Sequence, residues 1–120
     1  MIENIGIGID IVDIKKFKNI SFQSHKSLYK KIFFISEINY CLNFNNPSEH
    51  FAGIFAAKEA LIKSINYKLS IEKIEVKHHN KKPYFVLHSS KLKFLNFKLS
   101  ISHDTNIAIA CVVSFQRFHL

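Results

Sequence analysis

From Ile5 to Val12 the chain alternates strictly. Ile5, Ile7, Ile9 and Ile11 fall on one side, Gly6, Gly8 and Asp10 on the other, and a period of two predicts a strand. Glycines beside a carboxylate leave room for a second backbone or a ligand to come close. These glycines lie inside the strand and no third one opens a helix, so they make no dinucleotide fingerprint. The period then becomes helical. Asp13 can cap a short helix with Ile14, Phe17 and Ile20 on one face and Lys15, Lys16 and Lys18 outward. A second helix is expected between Ser24 and Phe34, with Lys26, Lys30 and Lys31 exposed. A third runs from an N-cap at Ser36 to about Leu42. Asn43 to Pro47 reads as a loop, Asn-Pro being a turn signal.

Ser48 can cap the element on which the rest is expected to pack, a helix carrying Phe51 to Ser64. Phe51, Ile54, Phe55, Leu61, Ile62 and Ile65 form one stripe, with Lys58 inside it and Glu59 at its edge. Ala52, Ala56 and Ala60, with Lys63 among them, form a bare face that admits another backbone. A helix with a large face and a small face can be packed on both sides. Charges at Lys58 and Glu59 are then costly unless paired or met by a ligand.

Asn66 to Ser70 breaks the pattern. Ile71 to Lys77 and Tyr84 to Leu87 read as strands joined through Asn80–Pro83, a hairpin. Ser89 to Leu95 is expected as a short helix. Phe97 to His103 alternates, Thr105-Asn106 is a tight turn, and Ile107 to Phe115 is expected to be the most buried strand. Repeats and linkers are absent, so the 120 residues are expected to form one α+β domain, an antiparallel-rich sheet packed on a long central helix.

Nearly half of the residues are hydrophobic, twelve of them Phe, which is enough for a core. The net charge of +8 suggests an anionic partner, either nucleic acid, a phosphate-rich small molecule or an acidic protein. Inflated Lys, Asn, Ile and Phe also fits AT-rich coding, so only the placement of the lysines is informative. Cys41 and Cys111 make neither a disulfide framework nor a metal spacing, and His78-His79 reads as a solvated pair in a polar turn. Neither a leader pattern nor an apolar run of membrane-spanning length is visible, so a cytoplasmic setting without membrane contact is expected.

Three stretches now stand out together. They are Gly6-Ile-Gly8-Ile-Asp10-Ile-Val, Phe55-Ala-Ala-Lys-Glu59-Ala-Leu-Ile-Lys63, and Leu99-Ser-Ile-Ser-His103-Asp followed by Ala108-Ile-Ala110. In order and spacing they resemble the small holo-acyl-carrier-protein synthase type of the 4'-phosphopantetheinyl transferases, over essentially the whole chain. Alone, Asp10 reads as a strand-end residue, Glu59 with Lys63 as a helix-surface pair worth ~0.2–0.5 kcal/mol, and His103 as a turn residue. The match of all three pieces together favours function.

The resemblance implies that coenzyme A gives its phosphopantetheine arm to a serine of an apo acyl carrier protein, in support of fatty acid biosynthesis. Cleaving the pyrophosphate calls for a hard divalent cation such as Mg²⁺, held by one or two carboxylates with phosphate and water. Asp10 and Glu59 would be those ligands. Lys58 and Lys63 would neutralise the phosphates. His103 would hydrogen-bond near them, and either Glu59 or a water held by the metal would take the serine proton. The resemblance also implies a homotrimer with sites between subunits, Asp10 and Glu59 from one chain and coenzyme contacts from the next. Lys15, Lys16 and Lys18, just beyond the Asp10 strand, would dock the acidic carrier protein.

The chain departs from the family where Ile54 replaces a usual arginine and where Ile65-Asn-Tyr-Lys-Leu69 lacks a glycine-rich turn. A basic contact and backbone amides for a phosphate are both affected. Two competing readings are a non-catalytic basic module and a relative that has lost activity. A nucleic-acid module explains the lysines but not Asp10 or Glu59, which repel phosphate without a metal, and no RNA-binding aromatic signature lies on the strands.

Overall fold

The first alternation is a strand, and a longer one than the sequence predicts. β1 spans Ile2–Asp13 in a computed structural model that describes residues 1–117. It is followed by α1 (Ile14–Asn19), α2 (Lys26–Ile32), α3 (Ile35–Leu42) and α4 (Pro47–Ser64). Then come β2 (Ile74–His79), β3 (Lys82–Leu87), β4 (Leu95–His103) and β5 (Ile107–Arg117). A three-stranded antiparallel sheet has the order β1-β5-β4, and β2 and β3 pair as a separate hairpin. The expected α+β plan, antiparallel strands packed on a long central helix, is the plan observed.

β5 is the middle strand of its sheet, and Ala108, Ala110, Val112, Ser114 and Gln116 are buried along one side of it. α4 lies across that side, in contact with both β1 and β5. Two glycines allow the approach. A Cβ at Gly6 would stand 1.9 Å from the carbonyl oxygen of Ser64, and one at Gly8 1.8 Å from that of Ala60. Any side chain at either position would collide with helix backbone. The bare face of β1 thus meets the C-terminal half of α4, at Ala60 and Ser64, rather than Ala52 and Ala56. The end of α4 is tied down as well: Ser114 Oγ donates to the Ser64 carbonyl at 2.8 Å.

Local chemistry explains most element boundaries. Asp13 Oδ1 accepts from the Lys15 amide at 3.0 Å and caps α1, as its position predicts. Ser36 does not cap α3. The N-cap is Phe34, whose amide donates to Glu37 Oε1, while the Ser36 hydroxyl donates to Glu75 Oε2 on β2. α4 starts earlier than expected, with Asn46 as N-cap and Pro47 at its first position, where a missing N–H costs nothing. Ile71–Lys73 is a 3₁₀ turn ahead of β2, and the helix expected from Ser89 shrinks to a 3₁₀ turn at Ser90–Leu92. Asn80 and Lys81 take φ of 50° and 67°, the left-handed pair that a tight two-residue hairpin needs.

The core lies between α4, the sheet and the small helices. Phe51 packs edge-on to Tyr29 at 4.8 Å between ring centroids and against Phe33 at 5.0 Å, and Phe17 lies 5.8 Å from Phe55. Burial pushes the Tyr29 phenol up to about 12, with Cys41 adding to it. The hydroxyl therefore stays protonated and donates to the Ile20 carbonyl, which ties α2 to the end of α1.

Candidate active site

Because Gly8 seats β1 on α4, the next residue on that face of the strand comes to the same turn of the helix. Asp10 and Glu59 line one cavity of about 420 Å³, together with Lys16 of α1. Its remaining wall is largely apolar, from Val12, Phe17, Leu28, Tyr29, Phe33 and Phe55 among others. Lys63, one helical turn beyond Glu59, donates to Asp10 Oδ1 at 2.9 Å and to the Ile9 carbonyl at 3.2 Å. The lysine side chain is 55% exposed and that of Asp10 15%. Lys63 can therefore turn to an incoming anion at little cost, since exposed ion pairs are worth only ~0–1 kcal/mol. Asp10, Glu59 and Lys16 line this cavity together, and Lys63 joins them through its bond to Asp10. Lys15 and Lys18 are exposed on the same short helix.

Lys58 is a correction. It was expected to meet phosphates, but its side chain is fully buried and points the other way. Nζ donates to Glu37 Oε1 at 2.6 Å and to the Ile32 carbonyl at 2.8 Å, between the rings of Phe33 and Phe34. Glu37 also accepts from the Phe34 and Val76 amides, so its carboxylate is fully occupied. Burial pushes the lysine down and the carboxyl up, and their mutual attraction opposes both. Glu37 was missed in the sequence, although a signal was there. It is an acid inside the apolar pattern of α3, as Lys58 is a base inside that of α4, and two such charges of opposite sign call for each other.

His103 is not joined to Asp10 and Glu59 within one chain. It lines a second cavity of about 170 Å³ that shares no lining residue with the first. Around it stand Glu49, His50, His78, Tyr40 and Lys81, with His103 Nδ1 3.7 Å from Glu49 Oε2. His78 is half-buried and stacked on Tyr40 at 3.9 Å, not solvated as its sequence neighbourhood suggests. His50 stacks on Phe44 at 3.6 Å. Burial, and then His103, holds His50 below the usual imidazole range, and burial followed by His50 does the same to His78. Ile54 lines this cavity, at the position where the family commonly has arginine. Among the described residues no three metal-binding side chains converge. Two carboxylates on one wall are nevertheless what a magnesium ion shared with substrate phosphates requires.

This α+β arrangement, with carboxylates from its first strand and central helix at one cavity, has the frame of a phosphopantetheine-transferring domain. A family profile described as the 4'-phosphopantetheinyl transferase superfamily matches residues 6–112, and the chain belongs to that family. Within it, the chain is similar to holo-[acyl-carrier-protein] synthases. It is 38% identical to that of Chlorobaculum parvum over 109 residues, covering 87% of this chain and 92% of the relative. A Helicobacter pylori holo-[acyl-carrier-protein] synthase, solved with coenzyme A, superposes with a TM-score of 0.74 at 34% identity, over 90% of this chain and 98% of that one. The Bacillus anthracis protein, solved with CoA (3',5'-ADP), gives 0.76 at 28% identity, over 93% of this chain and 96% of that one.

The two lysines of α4 should respond in opposite ways to the same change. Lys63→Met should alter unfolding free energy in urea by less than about 1 kcal/mol, because the lysine is mostly in solvent and Asp10 keeps its opening to the cavity. Lys58→Met strands the Glu37 carboxylate and should cost about 3–5 kcal/mol. Equal losses for the two variants would show that their environments have been misread.

Proposed function

We propose that this chain transfers the 4'-phosphopantetheine arm of coenzyme A to a serine of an apo acyl carrier protein. The products are the holo carrier protein and adenosine 3',5'-bisphosphate, and the reaction serves fatty acid biosynthesis in the cytoplasm. The observation that carries the reading is the meeting of Asp10 and Glu59, distant in sequence, on one cavity wall beside Lys16 and Lys63. Two carboxylates lining one cavity favour a cation between them. Asp10 and Glu59 would hold Mg²⁺, which supplies charge neutralisation at the pyrophosphate oxygens when bound. Either Glu59 or a water beside the ion would take the proton of the attacking serine. Lys63, released from Asp10, balances charge moving to the leaving phosphate. The apolar cavity wall excludes water that would compete with the serine.

Glu59→Gln keeps the size of the side chain and removes its charge. It should leave the fold intact and lower transfer more than about a hundredfold, read by the mass of the carrier protein after incubation with coenzyme A and Mg²⁺. Asp10→Asn should act likewise, with partial rescue at best by added Mg²⁺. Transfer at close to the parental rate in both variants would leave a basic docking module, not an enzyme centred here, as the better account.

Lys15, Lys16 and Lys18 form the docking edge for the acidic carrier protein, and Lys16 reaches the cavity itself. Reversing Lys16 to Glu should lower the association rate and its dependence on salt. An unchanged rate at both low and high ionic strength removes this helix from the encounter.

The assembly proposed is a homotrimer, and a bare apolar face supports it. Ile5, Ile7, Ile9 and Ile11 are 55–70% exposed along β1. Ile7, Ile9 and Ile11 pair with Val113, Cys111 and Ile109 of β5, so an apolar surface runs across β1 and β5 and is edged on β4 by Lys98, Ser100 and Ser102. Sedimentation at micromolar concentration should give three chains per particle. A fully active monomer rules the arrangement out.

A further inference from the structure

The residue between Ala57 and Glu59 has a role that the coenzyme does not explain. Lys58 Nζ is held at 2.6 Å by Glu37 and at 2.8 Å by the carbonyl of Ile32. Glu37 in turn receives the amides of Phe34 at 2.8 Å and Val76 at 2.7 Å. One buried ion pair therefore ties four elements together: α4, the end of α2, the start of α3, and β2. Ile32 and Phe33 are also wall residues of the cavity that holds Asp10 and Glu59. Lys58 grips that wall from behind. Consecutive helix residues point about 100° apart, so with Lys58 fixed behind the wall, Glu59 is turned into the cavity in front of it.

Stability alone does not call for such a pair. Two buried opposite charges lose about as much in hydration as they gain from each other, and neutral groups of the same volume are often as stable. What the pair does provide is a single geometry. An ammonium held by a carboxylate, a carbonyl and two ring faces admits far fewer arrangements than a methyl group in the same space. We infer that Lys58 and Glu37 are positioning residues, which set the distance between the Ile32–Phe33 wall and the Glu59 carboxylate and so decide where the carrier serine meets it. The inference rests on the proposed function, in which the serine enters this cavity and Glu59 acts on it.

The double variant Lys58→Met/Glu37→Gln tests it, because it removes both charges together and leaves none stranded. The variant should fold, with a far-ultraviolet spectrum and a melting temperature close to the parental ones. Per folded molecule, kcat should fall about tenfold and KM for the carrier protein should rise about fivefold, shifts of the size a misplaced reacting group produces. The Kd for coenzyme A, measured by calorimetry, should stay within about twofold of the parental value, since Lys58 lies away from the proposed phosphate contacts. A merely structural pair would leave kcat and KM per folded molecule unchanged, and that result overturns the inference. So does a selective loss of coenzyme affinity, which would return Lys58 to the phosphates. If the double variant does not fold, Lys58→Arg carries the test, because it keeps both charges and changes only the reach and shape of the cation; the same split is expected at about threefold, and unchanged kinetics in it are equally decisive. Normal transfer by Glu59→Gln would instead defeat the underlying function, so the two failures are distinguishable.

Discussion

The closest constraint in the molecule is backbone on backbone. Gly6 and Gly8 bring β1 against the carbonyls of Ser64 and Ala60, nearer than any Cβ tolerates. Once that contact forms, the position of Asp10 is no longer free. It is two residues along the same face of the strand, so it must lie beside the turn of α4 that carries Glu59 and Lys63. Small residues continue the theme across the sheet, where Asp10 pairs with Ala110 and Val12 with Ala108. The carboxylate meets no bulky neighbour there and keeps its access to the cavity.

Charge is handled in two ways along one helix. Lys63 is mostly in solvent, and its bond to Asp10 can be exchanged for a bond to an anion with little change in free energy. Lys58 is sealed, and its ammonium is held by a carboxylate and a carbonyl with two aromatic rings beside it. The same residue type, five positions apart, is therefore a mobile counter-charge in one case and a fastening in the other. Mobility suits the part proposed for Lys63, and rigidity suits a residue that holds the opposite wall.

The sheet has two unlike sides. Where α4 comes closest, the inner side offers Gly6, Gly8, Ala108, Ala110 and Ser114, with Val112 and the larger Phe97, Leu99 and Ile101 of β4 beside them, while the outer side carries the isoleucines of β1 beside Ile109, Cys111 and Val113. An apolar surface of that kind is costly in water. The homotrimer proposed above would cover it.

Much of this was legible in the residues. The alternation of Ile5 to Val12, the cap at Asp13 and the periodicity of Phe51 to Ile65 follow from local geometry, in which period and side-chain chemistry act within a few residues. The Asp10, Glu59 and Lys63 grouping came from the resemblance of three stretches to one family, and the bare face of β1 announced the close approach without fixing that it falls at Ala60 and Ser64 rather than at Ala52 and Ala56. Other features depended on contacts that no local rule contains. Ser36 looks like a cap but serves Glu75, because β2 arrives beside it and offers a better acceptor than the next turn of its own helix. His78 looks solvated but stacks on Tyr40, because the hairpin folds back onto α3. Lys58 looked like a phosphate ligand because a charge in an apolar stripe must have a partner, and the sequence showed that need without saying where it would be met. Only the tertiary structure decided between a coenzyme in front and Glu37 behind, since the direction of a side chain on a buried helix is set by which neighbouring elements pack against each of its faces.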